Sequence, residues 1–487
     1  MKLLATFSSE VNIKSPKVKA GFVSRLVANI KQAMNDSGYR VKVTKQWSRL
    51  YIEVESPDAV DVLRRVFGIY SLSPVDYSIK TELKGMQEVV HQYAGLARGK
   101  SVCLRVKRGS SVDGKNSAEL GVFLGGILGA YGRKVDLSNP ELKVQVLIRG
   151  EETVFYHKVI PGAGGLPLGV EGRALCLISG GFDSAVAAWQ LMRRGCALDF
   201  VFMNLAGQDY ERDVLRVAHF LIKQWGHGAS SSFYSVDFFP IMDAIREQCK
   251  ENFAQVVLKR AFYKVANIIA DELKDIPALI TGEAVGQVSS QTLHNIAATA
   301  DASKRLVLRP LISFDKQDII EISRKIGTLH LCEQVKEYCA INPKRPVTKA
   351  NISSSRREEQ QSIDENLYRI ASNTKKVIKF SELDEKVLVG GGYQVDAVPK
   401  DAIVVDVRDV DLYRRWHYQG ATSIQIDSVM TNLRNFSEQS TYVFYCGLGL
   451  QTAVLAEQLQ KRGYKAFSFK AGVTGLVNYA KSQGLDW

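Results

Sequence analysis

The chain has 487 residues, 46% of them apolar and 24% charged, which is the composition of a soluble globular protein with length for about three or four domains. No apolar run approaches the roughly 18 residues of a membrane span, the opening Met1–Glu10 is too short and too soon acidic for a signal peptide, and the seven scattered cysteines contain no C-x-x-C pair. A membrane partner, a secreted disulfide framework and a zinc site are therefore not expected, and cytoplasmic thiols are the default.

The net charge of +13 is unevenly placed: residues 1–165 hold 25 Lys+Arg against 15 Asp+Glu. That asymmetry suits a polyanionic partner, most simply a nucleic acid. Residues 1–58 read as a small α+β unit, with Leu3, Ala5 and Phe7 alternating, Phe22–Ile30 at helical spacing, and Val41, Val43 and Tyr51–Val54 as strands. Residues 59–165 repeat the theme, with helix Ala59–Phe67, strand Ser101–Lys107, helix Ala118–Leu128 and strand Leu142–Ile148. Between the strands, Lys107, Arg108 and Lys115 frame a basic glycine loop suited to phosphates. A glycine-rich stretch, Pro161–Gly172, reads as a crossing between domains.

Residues 166–345 alternate strands and helices: strands Leu175–Ile178, Phe200–Met203, Ser232–Asp237 and Ala278–Thr281, and helices Ala185–Arg194, Glu211–Trp225 and Val256–Leu273. This alternation predicts a parallel sheet with ligands at the carboxyl ends of its strands, where Ser179–Ser184 and Gly282–Gln291 share an edge. Residues 346–395, polar from Ser353 to Lys386, have the composition of an exposed helical connector. Residues 396–487 alternate again, with strands Ala402–Arg408, Thr441–Cys446 and Ala466–Phe469 and helix Thr452–Arg462. His219, His294 and His417 have no metal-like spacing and are expected to be structural.

The chain is organised around Leu175-Cys-Leu-Ile-Ser-Gly-Gly-Phe-Asp-Ser184, a buried strand, a glycine turn and a helix start. This arrangement points backbone N–H groups and a helix N-terminus at one place, where an anion is favoured. No Gly-Lys-Ser/Thr follows, so it is not a Walker A loop. The Ser179-Gly-Gly-Phe-Asp-Ser184 form resembles the PP-loop of ATP pyrophosphatases. Leu104–Arg108 and Val135–Glu141 resemble a THUMP domain, and Glu10–Ser15 the ferredoxin-like domain that precedes one. Gly282-Glu-Ala-Val-Gly-Gln-Val-Ser-Ser-Gln-Thr292, Leu258–Arg260, Leu308–Lys316 and Glu337–Cys339 resemble the motifs of bacterial tRNA 4-thiouridine synthases. The last domain, with Asp406-Val-Arg408, Gly420-Ala421 and Cys446 between a strand and a helix N-terminus, resembles a rhodanese domain. A thiol so placed favours thiolate.

These resemblances imply an α/β multidomain protein: ferredoxin-like domain (1–58), tRNA-binding THUMP domain (59–165), PP-loop ATP pyrophosphatase domain (166–345), polar linker (346–395) and rhodanese-like domain (396–487). They imply an ATP-dependent sulfurtransferase that makes 4-thiouridine at position 8 of tRNA. Ser179, Gly180, Gly181 and Ser184 would hold pyrophosphate, Leu177 and Ile178 would face the adenine, and Lys259, Gly282 and Gln291 would complete the nucleotide site. Asp183 would hold Mg²⁺ or orient the nucleophile, and Lys316 would offset phosphate charge. Cys446 would carry a persulfide from a cysteine desulfurase, and Cys339 would resolve it through a Cys339–Cys446 disulfide. The remaining cysteines are expected to be buried hydrophobes. Two other functions compete: a sulfur carrier that serves a thiamine-pathway carrier protein without modifying tRNA, and a non-catalytic tRNA-binding protein. The intact Ser179–Ser184 loop argues against the second.

Overall fold

A computed structural model of the chain describes residues 1–46, 49–107, 112–335, 341, 343–388, 392–447 and 449–484. It divides into two compact units, residues 1–171 with 193–195, and residues 172–192 with 196–487.

The first unit holds two five-stranded sheets. In one, β1 (Lys2–Phe7) lies between β3 (Arg49–Val54) and β4 (Ile69–Pro74), antiparallel to both; β2 (Val41–Gln46) flanks β3. Helix Pro16–Asp36 starts with proline, whose missing N–H is no loss there, and lays Val23, Leu26, Ile30, Ala33 and Met34 on this sheet at the three-to-four spacing of one helical face. The short helix Ala59–Leu63 and strand β4 belong to the same core, so the boundary expected at residue 58 moves to Pro74. Ala59, Val60, Val62 and Leu63 have their apolar partners in the first sheet's core.

In the other sheet, β6 (Ser101–Lys107) runs parallel to β7 (Lys134–Val135) and β8 (Leu142–Arg149), while β9 (Glu152–Tyr156) is antiparallel to β8 and to β5 (Tyr77–Lys80). Helices Leu83–Gln92 and Ser117–Gly129 supply the apolar cover, the latter begun by a reciprocal Asn116–Glu119 capping box. The glycine-rich stretch is not a free crossing. Its strand β10 (Ile160–Pro161) pairs with β4, and Leu166 is buried in the first core.

The second unit is built on a six-stranded sheet in the order β15-β14-β11-β12-β13-β16. Five strands are parallel: β11 (Arg173–Leu177), β12 (Ala197–Asn204), β13 (Ser232–Asp237), β14 (Ala278–Ile280) and β15 (Leu306–Leu308). Every residue of β12 is buried, as expected for a central strand covered on both faces. The edge strand β16 (Lys376–Lys379) is antiparallel to β13.

The stretch expected as a connector is therefore folded into this domain over much of its length. Helices Ile352–Ser362 and Glu365–Asn373 pack against helix Ala254–Leu273, and β16 extends the sheet. Its polar sequence misleads because its charges are buried in pairs. Glu359 accepts from Arg260 Nε at 2.5 Å and from Tyr368 at 2.9 Å, and Arg260 also meets Asp301 at 3.1 Å.

The last domain is an all-parallel sheet of five strands, β17 (Gln394–Val395), β21 (Lys465–Phe469), β20 (Thr441–Tyr445), β18 (Ile403–Asp406) and β19 (Thr422–Ser423), in that order. Helix Leu450–Gln460 packs on β20 and β21.

Candidate active site

The order of the six-stranded sheet reverses direction between β11 and β14, so the chain leaves these neighbours towards opposite sides and opens a crevice at their carboxyl ends. The loop after β11 is Ile178-Ser-Gly-Gly181, which leads into helix Phe182–Arg193; the loop after β14 begins Thr281-Gly-Glu283. Glycine is required at two points. Gly180 has φ +82°, in the left-handed region, and a Cβ there would lie 3.0 Å from Val214 and Val335. A Cβ on Gly282 would stand 2.5 Å from the carbonyl carbon of Asp183 and 2.7 Å from the Ser184 nitrogen, so only a hydrogen fits where the two loops meet.

Inside the first loop, Ser184 acts as a brace. Its hydroxyl accepts from the Ser179 N–H at 3.2 Å and donates to the Gly181 carbonyl at 3.0 Å. Tyr210 donates to the Ser179 carbonyl at 3.1 Å. Leu177 ends β11, and Ile178, buried, continues it by donating to Val201 at 3.0 Å. The Asp183 carboxylate accepts from Gln287 Nε2 at 2.9 Å and pairs with Lys316 Nζ at 3.3 Å. Lys316 is set at the start of helix Lys316–Ile326, whose first N–H groups are capped by Asp315, and its ammonium also lies 5.2 Å from the Phe182 ring centre.

Behind the second loop, Glu283 is a buried carboxylate held by Lys259 at 3.1 Å, Arg309 at 2.8 Å and the Tyr263 hydroxyl at 2.9 Å. Burial alone would push its carboxyl up, but the two cations outweigh it and hold the group at about 2. Burial and the adjacent carboxylate push the Tyr263 hydroxyl up. Gln291 accepts from the Ala284 N–H at 3.3 Å through its side chain and from the Gly286 N–H at 2.9 Å through its carbonyl, which closes the loop on itself.

The structure thus brings together Ser179–Gly181, Asp183, Ser184, Gly282 and Lys316, with Lys259 linked through Glu283 and Gln291 in the same second loop. The residues Gln287, Glu283, Arg309, Tyr263 and Tyr210 were not singled out from the sequence. Gln287 and Glu283 lie inside the quoted Gly282–Thr292 motif, Arg309 lies inside the quoted Leu308–Lys316 motif, and Tyr263 stands four residues after Lys259 on one helix.

Cys446 directly follows β20 and is 3% exposed. Its sulfur accepts from the Gly449 N–H at 3.2 Å and lies 3.5 Å from the Thr452 hydroxyl, which in turn meets Ser468 at 2.7 Å. Burial pushes the Cys176 and Cys332 thiols up to about 12, the behaviour of inert core cysteines. In the first unit, Lys107 ends β6, where partial burial and then the cations of Arg49 and Lys143 hold its ammonium below the usual range. Lys115 lies 5.9 Å from the Phe123 ring centre. Cys339 and Arg108 lie outside the described residues. Among the described residues no group of three or more His, Cys, Asp or Glu side chains is placed to hold a metal ion, and no helix is long and apolar enough to cross a membrane.

Residues 169–363 match the family model described as thiamine biosynthesis protein (ThiI), residues 7–73 the ThiI ferredoxin-like domain, and residues 394–478 a rhodanese-like domain. The chain is 35% identical over 481 residues to the tRNA sulfurtransferase of Desulfurococcus amylolyticus, with 96% of this chain and 97% of the relative covered. The chain belongs to the tRNA sulfurtransferase family. It is likewise 36% identical over 479 residues to the tRNA sulfurtransferase of Pyrobaculum aerophilum, with 96% of this chain and 97% of the relative covered. Among solved structures it is similar to a 4-thiouridine synthetase in complex with RNA and bound ATP, at TM-score 0.68 and 25% identity, over 78% of this chain and 99% of that one. PH1313 from Pyrococcus horikoshii shares the fold over 67% of this chain and 100% of its own, at TM-score 0.51 and 20% identity.

Proposed function

We propose that this member of the family is an ATP-dependent sulfurtransferase that converts a uridine of tRNA, at position 8, to 4-thiouridine. The observation that carries the proposal is the gathering of Ser179–Gly181, Asp183, Gly282 and Lys316 at the switch point between β11 and β14. A turn with an N–H-rich backbone, one carboxylate and one lysine suits a triphosphate with its cation. Mg²⁺ is commonly held by one or two carboxylates together with substrate phosphates, and Asp183 supplies the carboxylate.

Uridine C4 is a poor electrophile with a poor leaving oxygen. The C4 oxygen would attack the α-phosphorus of ATP and pyrophosphate would leave, so that this oxygen later departs as part of AMP. The backbone of Gly180 and Gly181 takes the phosphates, Lys316 offsets their charge, and Leu177, Ile178, Lys259 and Gln291 complete the pocket. The Glu283 carboxylate fixes Lys259 and Arg309 beside it.

The terminal sulfur of a Cys446 persulfide then forms a bond to C4 as AMP departs. Cys339 thiolate attacks the Cys446 sulfur of the resulting C4–S–S–Cys446 linkage, so that C4 keeps the thione sulfur and a Cys339–Cys446 disulfide forms. An external thiol reductant restores both cysteines each turn. A cysteine desulfurase is the sulfur donor in this scheme, and Lys107, Arg108 and Lys115 contribute to holding the tRNA backbone. The family model's description names thiamine biosynthesis, and the second role proposed on that name is delivery of sulfur to a carrier protein for the thiazole of thiamine.

The deciding experiment is mass spectrometry of tRNA nucleosides from a strain lacking the protein. Loss of 4-thiouridine, restored by the wild-type chain and not by Cys446→Ser, is expected. Persistence of 4-thiouridine in the deletion strain would reject the proposal.

A further inference from the structure

Within the second unit, the domain that bears Cys446 is seated on the nucleotide domain through polar groups. Helix Leu450–Gln460, which follows the Cys446 loop, supplies two of them. Gln451 Nε2 donates to the Gly327 carbonyl at 2.8 Å, and Glu457 pairs with Arg216 Nη2 at 2.8 Å. Arg216 belongs to helix Gln208–Trp225 of the nucleotide domain, and both it and Glu457 keep only 8% of their side-chain surface exposed. The guanidinium is fully used: Nη1 binds Asp213 at 2.9 Å, and Nε donates to the carbonyl of Leu388, near the end of the segment that joins the two domains.

What this seat adjoins gives it a purpose. Helix Leu329–Gln334 packs against both helix Gln208–Trp225 and helix Leu450–Gln460. Directly after it, Val335 faces Gly180 of the nucleotide loop, and the chain continues through residues 336–340, which include Cys339. The Cys446 helix and the nucleotide loop therefore both border the described stretch Leu329–Val335.

We infer that Arg216 and Glu457 are positioning residues that latch the sulfur-bearing domain in its delivery position. This rests on the function proposed above. An ion pair suits a seat that must open again, because each ion gives up hydration on closing and regains it on release, whereas an apolar seat has no such return. Opening frees the domain to meet the sulfur donor outside the chain; Cys446 itself, 3% exposed, packs in the core of its own domain. In charging, the donor's S–S bond breaks and a new one forms at Cys446, the donor leaving as a thiol, with no net oxidation. Closing the latch then converts an encounter between two mobile domains into a held one.

The test compares wild type with Glu457→Gln and Arg216→Gln in the full-length protein. Three measurements are made: ATP–pyrophosphate exchange, persulfide loading of Cys446 by a cysteine desulfurase with cysteine, and single-turnover thiolation of tRNA by preloaded protein. Exchange and loading should stay within about twofold, while the thiolation rate falls at least about tenfold with the KM for tRNA unchanged. Arg216→Lys, which keeps the charge, should recover part of that loss. Thiolation at the wild-type rate in Glu457→Gln would overturn the latch alone. So would a parallel loss of exchange or loading, since the pair would then be part of the fold. A wild-type protein that exchanges pyrophosphate yet thiolates no tRNA would overturn the functional proposal and the latch with it.

Discussion

Three residues of the site carry separable predictions. Gly282→Ala places a methyl 2.5 Å from the Asp183 carbonyl carbon, so the two loops must part. A displacement near 1 Å in a reacting site costs about a hundredfold, and ATP–pyrophosphate exchange should fall by at least that much. Asp183→Ala should abolish exchange while tRNA affinity, which the proposal assigns to the basic first third, stays near wild type; a comparable loss in a filter-binding assay would contradict that division. Glu283→Gln leaves Lys259 and Arg309 without their shared buried carboxylate and should destabilise the protein at neutral pH by about 3–5 kcal/mol. The Glu283 carboxyl sits at about 2, below its ordinary 4.5, so its stabilisation is complete above about 4.5 and drains away as the pH falls towards 2. The gap between wild type and Glu283→Gln in urea midpoint should narrow over that acid range. A gap that does not change with pH would show that Glu283 is not the ionised anchor.

At the scale of elements, the informative case is the segment from Ile352 to Lys379. Its composition reads as a solvated connector, yet Glu359 is 4% exposed and Ser355 0%. Charge density is a guide to solvent exposure only when the charges are unpaired, and here helix Ala254–Leu273 supplies Arg260 and Lys250 lies just before it. Arg260→Ala should strip the buried Glu359 of its 2.5 Å partner, with Lys264 left at 3.8 Å while Asp301 keeps Arg356, and should cost about 3 kcal/mol by chemical denaturation. A loss below about 1 kcal/mol would mean that these helices add little to the domain. Strands Ser101–Lys107 and Ser232–Asp237 were legible to the residue because their apolar runs are bounded by turn residues. Strands β4, β5 and β9 were not: β4 and β5 pair with strands distant in the sequence, and the five residues of β9, although they form a hairpin with β8, carry no turn residue that marks them.

For the whole molecule, acid should act through two histidines. Burial lowers His219 and His330 to about 4 from 6.5, so the folded state keeps them neutral where the unfolded chain takes up protons. Stability is complete above about 6.5 and falls as the pH drops to 4, by up to about 3 kcal/mol for each group. Urea midpoints at pH 7, 5 and 4 test this, and His330→Gln should flatten the profile. Binding of tRNA should weaken steeply with salt, and replacing Lys107 or Lys115 by alanine should reduce the log–log slope by about 1 for each phosphate left without its cation. An unchanged slope in the double variant would move the RNA surface elsewhere.

The sequence by itself determined the alternation of strands and helices, the Ser179–Ser184 turn and the cysteine at the end of β20, because each depends on residues close together along the chain. Only the tertiary structure decided that Gly282 must lack a side chain, that Lys259 and Arg309 share one buried carboxylate, and that Arg216 meets Glu457 across 241 positions. Those facts depend on which distant groups are pressed together out of water. Composition registers how many charges a segment carries; the partner that makes burial tolerable is named only by the fold.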